Sequence, residues 1–138
     1  MQDMQIRKLR VLLADDHPYL LERVESIVEH MFEVVGKVAD GKSLLEAGKK
    51  LNPDVIVTDI SMPNLNGLEA VKKLKACGSR AKVVFLTAHS DQDIISACFE
   101  AGAIGYVVKP RMTSDLLPAL REALAGRIFC SGTAEASN

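Results

Sequence analysis

Tryptophan is absent, and aromatic residues make up only 4% of the chain. Stacking platforms for single-stranded bases need aromatic faces, so that mode of nucleic-acid binding is set aside. Neither sign of charge dominates: 17 Lys and Arg stand against 18 Asp and Glu, a net charge of −1. The chain therefore has no basic field to collect phosphate backbones. Cysteine is sparse. Cys77, Cys98 and Cys130 are odd in number, and their spacing matches no metal or redox motif. They read as reduced thiols of a cytoplasmic protein. Long apolar runs are missing too: none approaches the ~18 residues that a membrane span needs. Arg7, Lys8 and Arg10 precede a short apolar stretch that runs straight into Asp15 and Asp16, which is not a secretory leader.

What remains is a chain of 138 residues with 48% hydrophobic and 25% charged content, enough for one domain around a respectable core. Residues 1–7 read as a leader and 127–138 as a flexible tail, leaving 8–126 for the fold. Within it, apolar runs alternate with amphipathic stripes. The runs are Leu9–Ala14, Phe32–Ala39, Asp54–Asp59, Lys82–Thr87 and Ile104–Val108. They are short and rich in β-branched residues, as buried strands are. Between them, stripes such as Leu20, Val24, Ile27 and Val28 recur at helical spacing. The last helix is expected near Ser114–Ala125, with Pro118 tolerable only in its first turn or with a kink. Five strand-then-helix units imply an α/β, doubly wound parallel sheet with helices on both faces. Gly36 inside the second strand marks weakness or a close backbone approach.

In such a sheet, ligands gather at the carboxyl ends of the strands. There the first strand presents Asp15 and Asp16, the third Asp59, the fourth Thr87 and the fifth Lys109. With strand order 2-1-3-4-5, three carboxylates share one cleft with a hydroxyl and an ammonium. Like charges at ~4 Å cost on the order of 4 kcal/mol per pair at an effective dielectric near 20, so the cluster calls for a counter-ion. A hard divalent cation such as Mg2+ suits oxygen ligands and leaves room for phosphate oxygens. Singly, each residue has an ordinary reading as a turn, cap or solvated charge. Their joint placement at four strand ends is what carries weight.

Taken together, Asp15-Asp16, Asp59, Thr87 and Lys109-Pro110 resemble the receiver domain of two-component response regulators. Asp15-Asp16-His17-Pro18, Val34-Val35-Gly36, Asp59-Ile60-Ser61-Met62-Pro63 and Gly102-Ala103-Ile104-Gly105-Tyr106 resemble the receivers that precede LuxR-type helix-turn-helix output domains. The resemblance implies a flavodoxin-like (βα)5 fold with a five-stranded sheet. It implies that Asp59 accepts a phosphoryl group from a phosphohistidine on a sensor histidine kinase. Asp16, Asp59 and the Ser61 backbone carbonyl would hold Mg2+, and Asp15 would act through a metal-bound water. Lys109 would pair with the phosphoryl group, across a cis Lys109–Pro110 bond. Thr87 would move toward that group and Tyr106 would swing inward behind it. Output would pass through the fourth helix, fifth strand and fifth helix, in a phosphorylation-dependent homodimer or toward another protein partner. No contact to nucleic acid or membrane by this chain itself is expected.

The output domain is not expected in the twelve residues after Gly126, so the chain reads as part of such a regulator or as a single-domain one. Two other classes compete. Aspartyl-nucleophile phosphohydrolases commonly carry a general acid two residues after the nucleophile, where this chain has Ser61, so turnover of a free substrate is not expected. Receivers that have become pure interaction modules usually lose one of the acidic or lysine positions, all of which stand here. His17 reads as a cap-region residue. His89, two residues after Thr87, sits near the mouth and could tune water access to the phosphoryl group.

Overall fold

The computed structural model describes residues 8–132, so the expected leader and residues 133–138 of the expected tail lie outside the described residues. The elements alternate as the apolar pattern requires. They are β1 (Leu9–Ala14), α1 (Pro18–Val28), β2 (Phe32–Val38), α2 (Gly41–Leu51), β3 (Val55–Thr58), α3 (Gly67–Ala76), β4 (Lys82–Thr87), α4 (Gln92–Glu100), β5 (Gly105–Val108), a 3-10 turn (Lys109–Arg111), α5 (Met112–Leu124) and β6 (Phe129–Cys130). The sheet is wholly parallel, in the order β2-β1-β3-β4-β5-β6. The order of the first five strands agrees with the expectation.

The count does not. A sixth strand is formed by Phe129 and Cys130, inside the stretch expected to be a tail. It pairs with Gly105 and Tyr106 on the outer edge of β5. Its hold comes from backbone bonds, Phe129 N–H to Ile104 O and Ser131 N–H to Tyr106 O, which no side-chain pattern announces.

Strand residues alternate between the two faces of the sheet. Val11, Leu13, Val55, Val57, Val84, Leu86 and Val107 pack beneath α1 and α5 with Val24, Val28, Leu116 and Leu120. Leu12, Ala14, Ile56, Val83, Phe85 and Tyr106 pack on the opposite face with Leu44, Val71, Leu74 and Cys98 from α2, α3 and α4. Covering both faces removes the sheet from water, and each fully buried Val or Leu contributes about 1.5–3 kcal/mol. Gly36 lies at the register shift between β1 and β2, where a Cβ would press on Leu12 and Leu51. That is the close approach its position suggested.

Helix starts are set by short polar side chains. Asp40 accepts from Ser43 N–H at 2.7 Å, Asn66 from Glu69 N–H at 2.9 Å and Asp91 from Ile94 N–H at 3.4 Å. The α1 start differs: His17 occupies the cap position without a side-chain cap bond, and Pro18 supplies the pre-set first turn.

The last helix begins two residues earlier than expected, at Met112, and this places Pro118 in its interior. Proline has no N–H to donate to the Ser114 carbonyl, yet the helix continues to Leu124. Burial of Leu116, Ala119, Leu120 and Ala123 holds the α5 face against the sheet and offsets the lost bond. We therefore expect Pro118→Ala to stabilise the fold by about 1–3 kcal/mol. Urea denaturation checks this, as a higher midpoint with unchanged slope.

Candidate functional site

The site is a product of sheet register. Ala14 of β1 pairs with Thr58 of β3, so the next residues, Asp15 and Asp59, leave the sheet side by side. Two backbone bonds extend the ladder past the strand ends and hold them there: Asp15 N–H to Val38 O and Asp59 N–H to Ala14 O, both at 3.0 Å. On the other side, Thr87 pairs with Val108, which brings Lys109 to the same rim.

Both Asp15 and Asp59 are buried. The Lys109 ammonium donates to Asp59 Oδ2 at 2.8 Å and sits 3.0 Å from Asp15 Oδ2, joining the two. Burial pulls the Lys109 pKa down, but its hydrogen bonds to Asp59 and Asp15 and their charges together hold it above the ordinary value. The lysine therefore stays charged at neutral pH, and the carboxylates have a counter-ion made of protein. Asp59 Oδ1 is tied separately, to the Ile60 N–H at 2.7 Å. Gly67, at the start of α3, presses against the Asp59 backbone. Its N–H donates to Ile60 O at 2.7 Å, and a Cβ there would collide with the Asp59 carbonyl oxygen.

Asp16 is exposed beside this pair. Asp15, Asp16, His17 and Asp59 each bring one ligand atom into a group whose members all lie within 4.8 Å of one another. Three of the four donors are carboxylate oxygens, the set that suits a hard cation. The fourth was read only as a cap-region residue. His17 Nδ1 lies 2.9 Å from Asp15 Oδ1 and 3.3 Å from Asp16 Oδ1. A carboxylate accepts, so a proton on this nitrogen would tie His17 to both acids, whereas a metal would need the nitrogen without it. Adjacency to the acidic pair was the available signal.

Thr87 and Ser61 are not part of that group. Their hydroxyls meet His89 instead. The His89 N–H donates to Thr87 Oγ1 at 3.3 Å, and His89 Nε2 lies 3.2 Å from Ser61 Oγ. The His89 carbonyl accepts the Tyr106 hydroxyl at 2.6 Å. The Tyr106 ring is fully buried and faces Phe99 at 6.5 Å, so the inward position expected only after activation is already taken. Burial raises the Tyr106 pKa strongly, which keeps its hydroxyl a donor. Beside the carboxylates, Tyr19, Leu20, Arg23 and Ala88 line a shallow depression that reaches Lys109.

The Lys109–Pro110 bond is trans, against the expected cis. Pro110 sits in the 3-10 turn that leads directly into α5, where its fixed φ suits a helical first turn.

Residues 11–121 match the family model of the response regulator receiver domain. The chain belongs to this family. It is 36% identical over 124 residues to the nitrate/nitrite response regulator protein NarL of Escherichia coli K12, covering 88% of this chain and 57% of that protein. It is 34% identical over 132 residues to the transcriptional regulatory protein MctR of Rhizobium johnstonii, covering 94% of this chain and 62% of that protein. The receiver thus spans about six-tenths of these curated relatives. Among solved structures, the signal receiver domain of the putative response regulator NarL from Mycobacterium tuberculosis superposes with a TM-score of 0.84 at 28% identity. It covers 88% of this chain and all of that one. The isolated receiver of RcsB from Salmonella enterica serovar Typhimurium, solved with the phosphomimetic BeF3-, gives 0.82 at 29% identity, covering 90% of this chain and 94% of that one. Among the described residues, no helix of the receiver is long and apolar enough to cross a membrane.

If the receiver's own lysine balances its acids, Lys109→Ala leaves two buried carboxylates facing each other. We expect the metal-free variant to lose about 3–5 kcal/mol, the scale for breaking a buried pair. Thermal and urea unfolding in the presence of a chelator measure this directly.

Proposed function

We propose that this receiver is a phosphoacceptor switch of a two-component system, with Asp59 as the nucleophile. The observation that supports it most is the Asp15–Lys109–Asp59 bridge at the strand ends, with exposed Asp16 beside it. A carboxylate oxygen of Asp59 attacks the phosphorus of a phosphohistidine on a sensor kinase. The P–N bond breaks, and the imidazole leaves with the electron pair. No general acid of the receiver is needed for that leaving group, in keeping with Ser61 two residues on. The protein modifies itself and turns over no free substrate.

Lys109 exchanges its Asp59 contact for a phosphoryl oxygen, moving little because its ammonium is already at the reacting carboxylate. Asp16, Asp59 and the Ser61 carbonyl would hold Mg2+, with Asp15 acting through water. When bound, the cation supplies charge neutralisation for the phosphoryl oxygens. Thr87 leaves its bond to the His89 amide and moves to the phosphoryl group. His89, held against Ser61 and Tyr106, governs how closely water approaches. Tyr106 carries the change outward along β5.

The output is a protein contact on α4, β5 and α5, in a homodimer or toward a DNA-binding domain. Because β6 covers the outer edge of β5, a partner meets β6 there. We take residues 8–126 as the receiver proper, extended by the edge strand β6 at Phe129–Cys130, and place its work in the cytoplasm.

Intact mass after incubation with acetyl phosphate tests this. One phosphoryl group should appear on wild type with Mg2+, and none with a chelator or in Asp59→Asn. An adduct of equal yield on Asp59→Asn, or none on wild type after rapid quenching, would refute the assignment.

A further inference from the structure

Asp115 is a buried carboxylate that the phosphoryl site does not use. It lies in the first turn of α5 and gathers three donors. Arg111 Nε donates to its Oδ2 at 2.9 Å, Ser114 Oγ to its Oδ1 at 3.0 Å, and Ser131 Oγ to its Oδ2 at 2.7 Å. Burial pushes its pKa up, but these donors and the Arg111 charge together hold it below the ordinary carboxylate value. It is an anion at neutral pH.

The Ser131 hydroxyl has a second bond. It accepts the Val108 N–H at 3.3 Å. A closed path results: Val108 N–H to Ser131 Oγ, Ser131 Oγ–H to Asp115, and Arg111 Nε–H to the same Asp115 oxygen. The two residues between its ends are Lys109 and Pro110. Pro110 has no N–H, so this turn is poor in backbone donors of its own. A simple anchor for β6 would not need this path, because β6 is already bonded to β5 through the Phe129 and Ser131 amides. The hydroxyl reaches past its own strand to the flank of Lys109.

We infer that Asp115 and Ser131 are positioning residues for Lys109: together they hold the Val108 amide on one side of it and the Arg111 side chain on the other, and so aim its ammonium at Asp15 and Asp59. The C-terminal strand thereby becomes a working part of the phosphoryl site. The consequence for phosphoryl transfer rests on the phosphoacceptor reading; the positioning of Lys109 does not. Neither residue touches the reacting atoms.

The test is a double-mutant cycle on the full chain. Melting temperatures are measured without metal for Ser131→Ala, Lys109→Ala and the double variant. If Ser131 acts through Lys109, the double variant loses less than the sum of the single losses. Additive losses overturn the inference. The same variants are then phosphorylated with acetyl phosphate at saturating Mg2+. Ser131→Ala should slow the reaction about tenfold in the wild-type background, as misplacement of a site group does. It should have no effect in the Lys109→Ala background. Ser131→Thr, which keeps the hydroxyl, should restore the rate. An unchanged rate in Ser131→Ala overturns the role in transfer. Failure of wild type to take a phosphoryl group refutes the phosphoacceptor reading alone, since the melting cycle still decides the positioning.

Discussion

One ammonium between two buried carboxylates is the constraint on which this receiver turns. Asp15 and Asp59 are brought together by sheet register, and both are buried. Their mutual repulsion is of the order of 4 kcal/mol at ~4 Å in a medium of effective dielectric near 20. Lys109 answers it with two attractions of similar size, at 2.8 and 3.0 Å. Three crowded acids call for a counter-ion, expected to be a divalent cation; the fold supplies a side chain first. A metal ion or a phosphoryl group entering this site would meet Lys109 at both carboxylates.

The rest of the molecule holds that arrangement. Gly67 lets α3 press on the Asp59 backbone, and His17 ties Asp15 to Asp16. His89 links Ser61, Thr87 and Tyr106, so the loops after β3 and β4 and the core of β5 share one residue. Asp115 and Ser131 bracket the turn that carries Lys109. On the proposed reading, a change at Asp59 would have connected groups leading toward Tyr106 and β6, the kind of route a charge-driven switch uses.

Much of this was legible in the residues themselves. Strands such as Val83–Leu86 and Ile56–Val57 carry β-branched residues and are apolar on both faces, as the strands of a covered parallel sheet are. The acids, Thr87 and Lys109 were legible because each ends such a run. Other features were hidden for particular reasons. The two residues of β6 are too few to show a period, and its bonds are made by backbone amides and a serine hydroxyl. Helix α5 reaches back to Met112 through a 3-10 turn, which local preference around Ser114 does not reveal. The inward Tyr106 and the trans Lys109–Pro110 bond are conformational choices of this chain, and a shared motif does not dictate them. His89 bonds through its main chain as much as its ring, so its residue type carried little of the signal.

The central claim is that Lys109 serves as the counter-ion that a metal must displace or share. Calorimetric titration of Mg2+ into wild type and Lys109→Ala at neutral pH addresses it most directly. The account predicts tighter binding by the variant, by about tenfold, equivalent to about 1.4 kcal/mol. Equal or weaker binding by Lys109→Ala would contradict it, and would mean that the carboxylates meet the metal without competition from the lysine.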